Sequence, residues 1–383
     1  MENLSISYAV ICLNEERTIL RCLKAISSNC NKNDEIIVVD TGSKDKTKEL
    51  VEEKFPNVKL YDFKWNGSFS SARNYCIKLA KKDWIFFIDA DETLSPNSGY
   101  NLKRHIFEVN KIAPRPFVMV PKIINTNGNI LYNAGRIMPN NSQFNFYGLI
   151  HEYPVINNRK DEKGYDTIKL DDVAVYHDGY EPEIMKSKSK PCRNSKLDKI
   201  MLKKLPNSIR YNYLYYRDSE SIISEDEYVK GMTKTFLMDK NNKFSQQAGI
   251  SLLIYYVNKK KFDLADKYVE KLAELVEKPN SAVSKWELVY LSSINDLNRL
   301  KSKEAYLLKT LIAVKNNHEN EINEIFKDGM NYDELIGLIF LSLGRFKEAL
   351  DICKSLNKKN FTNQLSNKIC EFEKILESNH VNK

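Results

Sequence analysis

The sequence predicts an α/β domain on a mostly parallel, Rossmann-like sheet, followed by an all-α domain. Three observations carry that expectation. Strand and helix signals alternate over the first 180 residues, acids or turn residues stand where the first strands end, and strand signals vanish after about residue 185. Strands separated by helix-length segments are the pattern of βαβ units around a sheet buried on both faces.

The elements follow in order. SYAVICL, residues 7–13, is a first strand, and residues 15–28 are helix-like. EIIVVD (35–40), VKLYDF (58–63) and WIFFID (84–89) are further strands, separated by helices that begin near Lys44 and Ser70. After Asp91 the rhythm changes to a helix over 97–109, then FVMVPKII, a Gly128-Asn129 turn and a strand that ends near VAVYHDG. The sequence assigns residues 1–184 to a catalytic domain, 185–210 to a basic linker or helix closing over the donor site, and 211–383 to a TPR-like helical domain. In that tail, Ala265, Ala305 and Ala349 are the small residues expected where helices cross, and aromatics such as Trp286, Phe340 and Phe346 are expected to fill the grooves. Their spacings of 40 and 44 exceed the ~34 of a regular repeat.

Composition narrows the class. The 383 residues are 42% hydrophobic and 29% charged, which excludes a disordered or fibrous chain. Nothing approaches ~18 uninterrupted apolar residues, so no membrane span is expected. The start, MENLSISYAVICLNEE, has no basic n-region and does not read as a signal peptide. Seven cysteines with no CxxC pair suit reduced thiols, and a soluble, cytoplasmic protein is expected. The net charge of +8 concentrates between Lys186 and Arg210, where nine Lys/Arg face the single acid Asp198. No nucleic-acid motif accompanies that run, so nucleic acid is not an expected partner.

Chemistry concentrates at strand ends. WIFFIDADE places Asp89 and Asp91 at the carboxyl end of a buried strand, the edge where open α/β sheets bind ligands. Two carboxylates so spaced can hold a divalent cation against a diphosphate. An Asp-x-Asp alone is common in loops. Here it has company: Asn14-Glu15 ends the first strand, and Asp40-Thr41-Gly42-Ser43 ends the second. Arg73 stands near a helix N-terminus, where it can hold a phosphate or the carboxylate that orients one.

The succession VICLNEE, IIVVDTGSKD, FKWNGSFSSARN, IFFIDADE, GLIHEYP, VYHDGYEPE and KSKSKPCRN resembles the family 2 glycosyltransferases of the GT-A fold. Within them it is most similar to the sublancin-type bacteriocin peptide S-glycosyltransferases, which carry a TPR-like tail. The resemblance implies a bacterial, metal-dependent, inverting transferase that moves a hexose from a UDP-sugar to a Cys or Ser side chain of a ribosomally made peptide. The alternative acceptor is a cell-surface saccharide or lipid-linked sugar, and a non-catalytic nucleotide-sugar-binding scaffold is a third reading.

Roles follow from the resemblance. Asp40 sits near the uridine, with Ile11 and Asn14-Glu15 lining the same pocket. Asp89 contacts the ribose or the metal, Asp91 is the direct ligand of Mn²⁺ or Mg²⁺, and His177 completes the metal's coordination. Glu152 is the candidate base that takes the acceptor's proton. Asp91, Glu92 and Asp178 compete with it, because sequence gives no distances. Lys188, Lys190 and Arg193 are candidates to stabilise the departing diphosphate. A peptide acceptor is expected between the catalytic domain and the helical tail, and the helical domain is also the expected homodimer surface.

Overall fold

The computed structural model describes residues 4–111, 116–126, 128–132, 135–141, 143–157, 165–177, 190–317, 330–359 and 364–371, the side chains at 190–191 and 316–317 excepted. The chain divides into two compact units, Met1–Tyr228 and Val229–Lys383. The division therefore falls later than residue 184 or 210, and the basic segment belongs with the first unit.

Four parallel strands open that unit: β1 (Ile6–Cys12), β2 (Glu35–Asp40), β3 (Lys59–Asp62) and β4 (Trp84–Asp89), in the order β3-β2-β1-β4. Their period of two sorts side chains onto two faces. Tyr8, Val10, Ile36, Val38, Phe86 and Ile88 pack into one core with α1 (Ile19–Asn29) and α4 (Ser98–Val109). Ala9, Ile37, Val39, Ile85 and Phe87 pack into the other, with Cys76 of α3 (Phe69–Leu79). Every residue of β2 is buried, as expected of a strand covered on both sides. α2 (Thr47–Lys54) completes the first layer.

The second half of the sheet is mixed. β8 (Ile137–Pro139) runs antiparallel to both β4 and β6 (Phe117–Asn125), and β6 pairs in parallel with β11 (Asp166–His177). β5 (Glu92–Leu94) lies antiparallel on β11, with His177 opposite Glu92. β7 (Ile130–Leu131) folds back on β6 after the Gly128-Asn129 turn, while β9 (Phe144–Tyr147) and β10 (Tyr153–Ile156) form a separate hairpin. Register is what builds the site: Cys12 lies beside Asp40, Ile11 beside Asp89, and His177 beside Asn125. Helices α5 (Lys190–Lys204) and α6 (Ile209–Ser219) pack on each other and end the first unit.

The second unit is helical. α7 (Glu225–Met238) crosses the division and leads into α8 (Lys243–Asn258), α9 (Phe262–Val276), α10 (Lys285–Asn317), α11 (Met330–Ser342) and α12 (Phe346–Lys358). Ala265 and Ala349 are fully buried, as small residues at helix crossings must be. Ala305 and Trp286 depart from expectation. Both lie on α10, a single 33-residue helix; Ala305 is exposed, and Trp286 is 85% exposed instead of filling a groove. Phe346 is also exposed. Among the described residues no helix is long and apolar enough to cross a membrane.

Gly99, in the first turn of α4, touches the end of α1: its N–H donates to Asn29 Oδ1 at 2.9 Å, and a Cβ there would meet Asn29 O at 2.3 Å. Backbone cannot yield as a flexible side chain can. Gly99→Ala is expected to cost about 1–3 kcal/mol in urea unfolding. An unchanged midpoint would mean that the α1–α4 contact is looser than the structure shows.

Candidate active site

The carboxyl ends of β1 and β2 form the first part of the site. Asp40 is 1% exposed, and its Oδ1 accepts from the N–H groups of Gly42 and Ser43, both at 2.9 Å. The Cys12 thiol donates to Oδ2 at 3.6 Å. Gly42 holds φ +111°, a conformation that L side chains resist, and nothing stands within 4 Å of where its Cβ would be. Asn14, at φ 55°, donates its N–H to Ser43 Oγ at 2.8 Å and accepts from Lys44 N at 2.8 Å. The Glu15 N–H donates to Thr47 Oγ1 at 2.7 Å. Two strand-end loops are thus stitched together, with Ile11, Asn14, Glu15 and Asp40 on one sheet edge.

The DADE segment continues that edge. Asp89 Oδ1 accepts from Arg73 Nη2 at 3.2 Å, and Oδ2 accepts from Arg136 Nη2 at 3.0 Å. Arg136 also donates to Glu92 Oε2 at 2.5 Å, an oxygen that accepts the Asp89 N–H at 2.8 Å. Arg73 Nε donates to Glu152 Oε1 at 2.6 Å. The Arg73 guanidinium lies 5.1 Å from the ring centre of Phe87 and 5.3 Å from that of Phe146. Burial works against the Asp89 charge, but Arg136 and then Arg73 outweigh it and hold its pKa well below the usual range. Burial pushes the Glu92 carboxyl up, with Arg136 opposing and Asp89 adding to the shift.

Asp91 and His177 stand beside this network. His177 Nε2 lies 3.6 Å from Asp91 Oδ2, and Nδ1 lies 3.2 Å from Asn125 Oδ1. Burial alone would lower the His177 pKa; the Asp91 contact more than offsets that and raises it. An imidazole nitrogen and a carboxylate oxygen at this separation fit neighbouring ligands of one divalent cation. Asp89 differs, because both of its oxygens are engaged by arginines.

Glu152 lies in the 148–152 loop, which Gly148 turns at φ 112° and which accepts the Phe69 N–H on Leu149 O at 2.9 Å. Asn74 grips β9, with Nδ2 donating to Phe146 O and Oδ1 accepting the Phe146 N–H. So α3 positions Arg73 and the Glu152 loop together. Arg193 of α5 sits with its guanidinium carbon 5.2 Å from the Phe69 ring centre. Lys188 and Asp178 lie outside the described residues, as does the side chain of Lys190.

Sequence reading missed Arg136, Asn125, and the partners of His151 described below. Arg136 carries a visible signal: a lone charge beside the apolar strand IMP. Asn125 carries none, since only the β6–β11 register brings it to His177.

Residues 7–149 match the family model described as Glycosyl transferase family 2. Residues 7–149 are a family 2 glycosyltransferase domain. The chain is 29% identical over 243 residues to the SPbeta prophage-derived glycosyltransferase SunS of Bacillus subtilis (strain 168), a match covering 63% of this chain and 55% of SunS. The chain thus spans about half the length of that curated relative. It is 34% identical over 108 residues to a TPR repeat-containing protein of Synechococcus elongatus, covering 28% of this chain and 26% of that one. Among solved structures, S. aureus TarS 1-349 in complex with UDP-GlcNAc is similar at TM-score 0.41 and 16% identity, over 74% of this chain and 97% of that chain.

Two outcomes test the geometry of the family 2 domain. Arg136→Met leaves buried Glu92 without its cation and is expected to cost about 3–5 kcal/mol in urea unfolding, with Glu92→Gln added in the same chain restoring part of it. A neutral Arg136→Met would contradict the network. The raised His177 pKa adds stability that is present below its unfolded value of ~6.5 and lost as pH rises through the folded value. The Tm difference between the native chain and Asp91→Asn is therefore expected to be largest below about pH 6.5 and to shrink above it. A flat difference across pH 5–9 would contradict the Asp91–His177 contact.

Proposed function

We propose that the protein is a metal-dependent, inverting glycosyltransferase that moves a hexose from a UDP-sugar to a Cys or Ser side chain of a ribosomally made peptide. The observation that carries this reading is the Asp91–His177 pair on the ligand-binding edge of a family 2 domain, 3.6 Å apart beside the Arg73–Asp89–Arg136 network. The similarity to the glycosyltransferase SunS supports the transferase chemistry, and the motif resemblance to the sublancin-type peptide S-glycosyltransferases supports the peptide acceptor.

The roles are assigned to this chain's own groups. The loops after β1 and β2 receive the uridine: Gly42 lets backbone approach closely, and Ile11, Asn14, Glu15 and Asp40 line the edge. Asp91 and His177 would hold Mn²⁺ or Mg²⁺, which when bound would supply positive charge to the diphosphate. Asn125 orients the His177 ring so that Nε2 faces Asp91. Arg193, with Lys188 and Lys190, offers fixed cations to the leaving diphosphate. Glu152, held by Arg73, takes the acceptor's proton on the face opposite the leaving group. A thiol acceptor needs that base less, since its own pKa of ~8.5 supplies some thiolate.

The helical unit is proposed to bind the peptide and to pair two chains. Trp286, Tyr290, Leu297 and Leu300 recur at helical spacing along α10 and are all exposed, which supports a homodimer face there. Light scattering is expected to give twice the 44.5 kDa chain mass, and the chain mass itself for Trp286→Glu/Tyr290→Glu. A monomeric native chain would contradict the pairing.

The activity test is UDP release from a panel of UDP-hexoses with Mn²⁺, with and without a Cys-containing peptide. Release from one donor is expected, lost with chelator and with Asp91→Asn, and reduced about 10–100-fold by Asn125→Ala. Release that survives Asp91→Asn would overturn the assignment. Transfer to saccharide with none to peptide would replace the acceptor.

A further inference from the structure

A second cluster of potential ligands lies behind the Glu152 loop, and the roles above do not use it. His151 Nε2 stands 2.9 Å from Asp218 Oδ2 and 3.5 Å from Asp198 Oδ2. One donor atom from each of the three residues lies within 4.8 Å of the others. The three come from separate parts of the first unit: His151 from the 148–152 loop, Asp198 from α5 and Asp218 from α6.

Asp198 is the informative member. Its side chain is 0% exposed, and neither of its oxygens accepts a hydrogen bond among the described residues. A buried carboxylate in that state costs several kcal/mol unless it takes up a proton or something positive sits against it. His151 alone does not resolve this, because a protonated Nε2 carries one N–H and faces two carboxylate oxygens. The hydrogen bond at 2.9 Å takes that proton to Asp218. Charge elsewhere is committed. Arg217 Nε donates to Asp218 Oδ1 at 2.6 Å, Arg217 Nη2 lies 3.3 Å from His151 Nε2, Asn194 Nδ2 donates to Asp218 Oδ2 at 3.4 Å, and Arg210 Nη2 donates to His151 O at 2.7 Å. None of these reaches an Asp198 oxygen within hydrogen-bonding distance.

We propose that His151, Asp198 and Asp218 form a site for a divalent transition-metal cation, with Zn²⁺ the best fit, separate from the Asp91–His177 pair. One neutral imidazole nitrogen and two carboxylate oxygens are a three-ligand set that zinc accepts, with a further position for water. The cation takes the Nε2 lone pair and one oxygen from each carboxylate. Arg217 keeps Asp218 Oδ1, and its side chain, 41% exposed, has solvent in which to move its Nη2 aside. The ion ties the loop that carries Glu152 to both helices that follow β11. The site stands apart from the transferase reading, since none of its three ligands is used there.

The test is Zn²⁺ binding to the full chain by equilibrium dialysis and calorimetry, with Asp91→Asn and His177→Ala in the background to remove the other candidate site. One Zn²⁺ per chain is expected, with a rise in Tm on loading. Adding Asp198→Asn, which keeps the side chain's shape, is expected to weaken binding about 100-fold and abolish the Tm rise. Asp218→Asn, a second variant that alters a different helix, is expected to do the same. No Zn²⁺ bound in the background chain overturns the proposal, as does binding that Asp198→Asn and Asp218→Asn leave unchanged, which would place the ion on surface cysteines instead. Circular dichroism on each variant separates loss of binding from loss of fold.

Discussion

Five buried or half-buried charges hold the first unit's site together: Arg73 and Arg136 against Asp89, Glu92 and Glu152. Burying ions costs several kcal/mol each, recovered only when every lone pair and N–H finds a partner. The chain offsets most of that cost by bringing four separate segments to one place, although the buried Arg136 Nε finds no hydrogen-bond partner among the described residues. Arg73 comes from the second turn of α3, Asp89 from the end of β4, Arg136 from the approach to β8, and Glu152 from the loop before β10. Moving any one of them strands a charge, so the network fixes where the strand ends and loops must lie.

Much of this was legible in the sequence because the relevant signals are local. The runs EIIVVD and WIFFID carry both the apolar strand and the acid at its end, and each is a strand over those same residues. The turn at Asp40-Thr41-Gly42-Ser43 was readable from residue type, and the structure adds that Asp40 itself caps it. What sequence did not carry was register. Asn125 meets His177 only because β6 and β11 pair in parallel, with a shift between Leu170 and Ala174. Arg136 meets Asp89 and Glu92 only because β8 inserts antiparallel between β4 and β6. Asp198 read as the one acid in a basic run, and its burial against His151 depends on α5 packing on α6.

The tail shows the same limit from the other side. Ala265 and Ala349 mark helix crossings because a small residue in a hairpin is a local signal. Ala305 and Trp286 share the spacing yet lie on one long helix, where no partner helix covers them among the described residues. Spacing alone cannot tell a crossing from a continuous helix. The exposed aromatic stripe that results is the feature of the second unit most in need of a partner.

The sheet edge is proposed to bind a nucleoside diphosphate through a cation held by Asp91 and His177. Calorimetric titration of UDP into the full chain, with and without Mn²⁺, addresses it without reference to any acceptor. Saturable binding that needs Mn²⁺ is expected, and Asp91→Asn or His177→Ala is expected to remove it while the fold persists. UDP binding of equal strength with and without Mn²⁺, or none at all to a folded native chain, would contradict it.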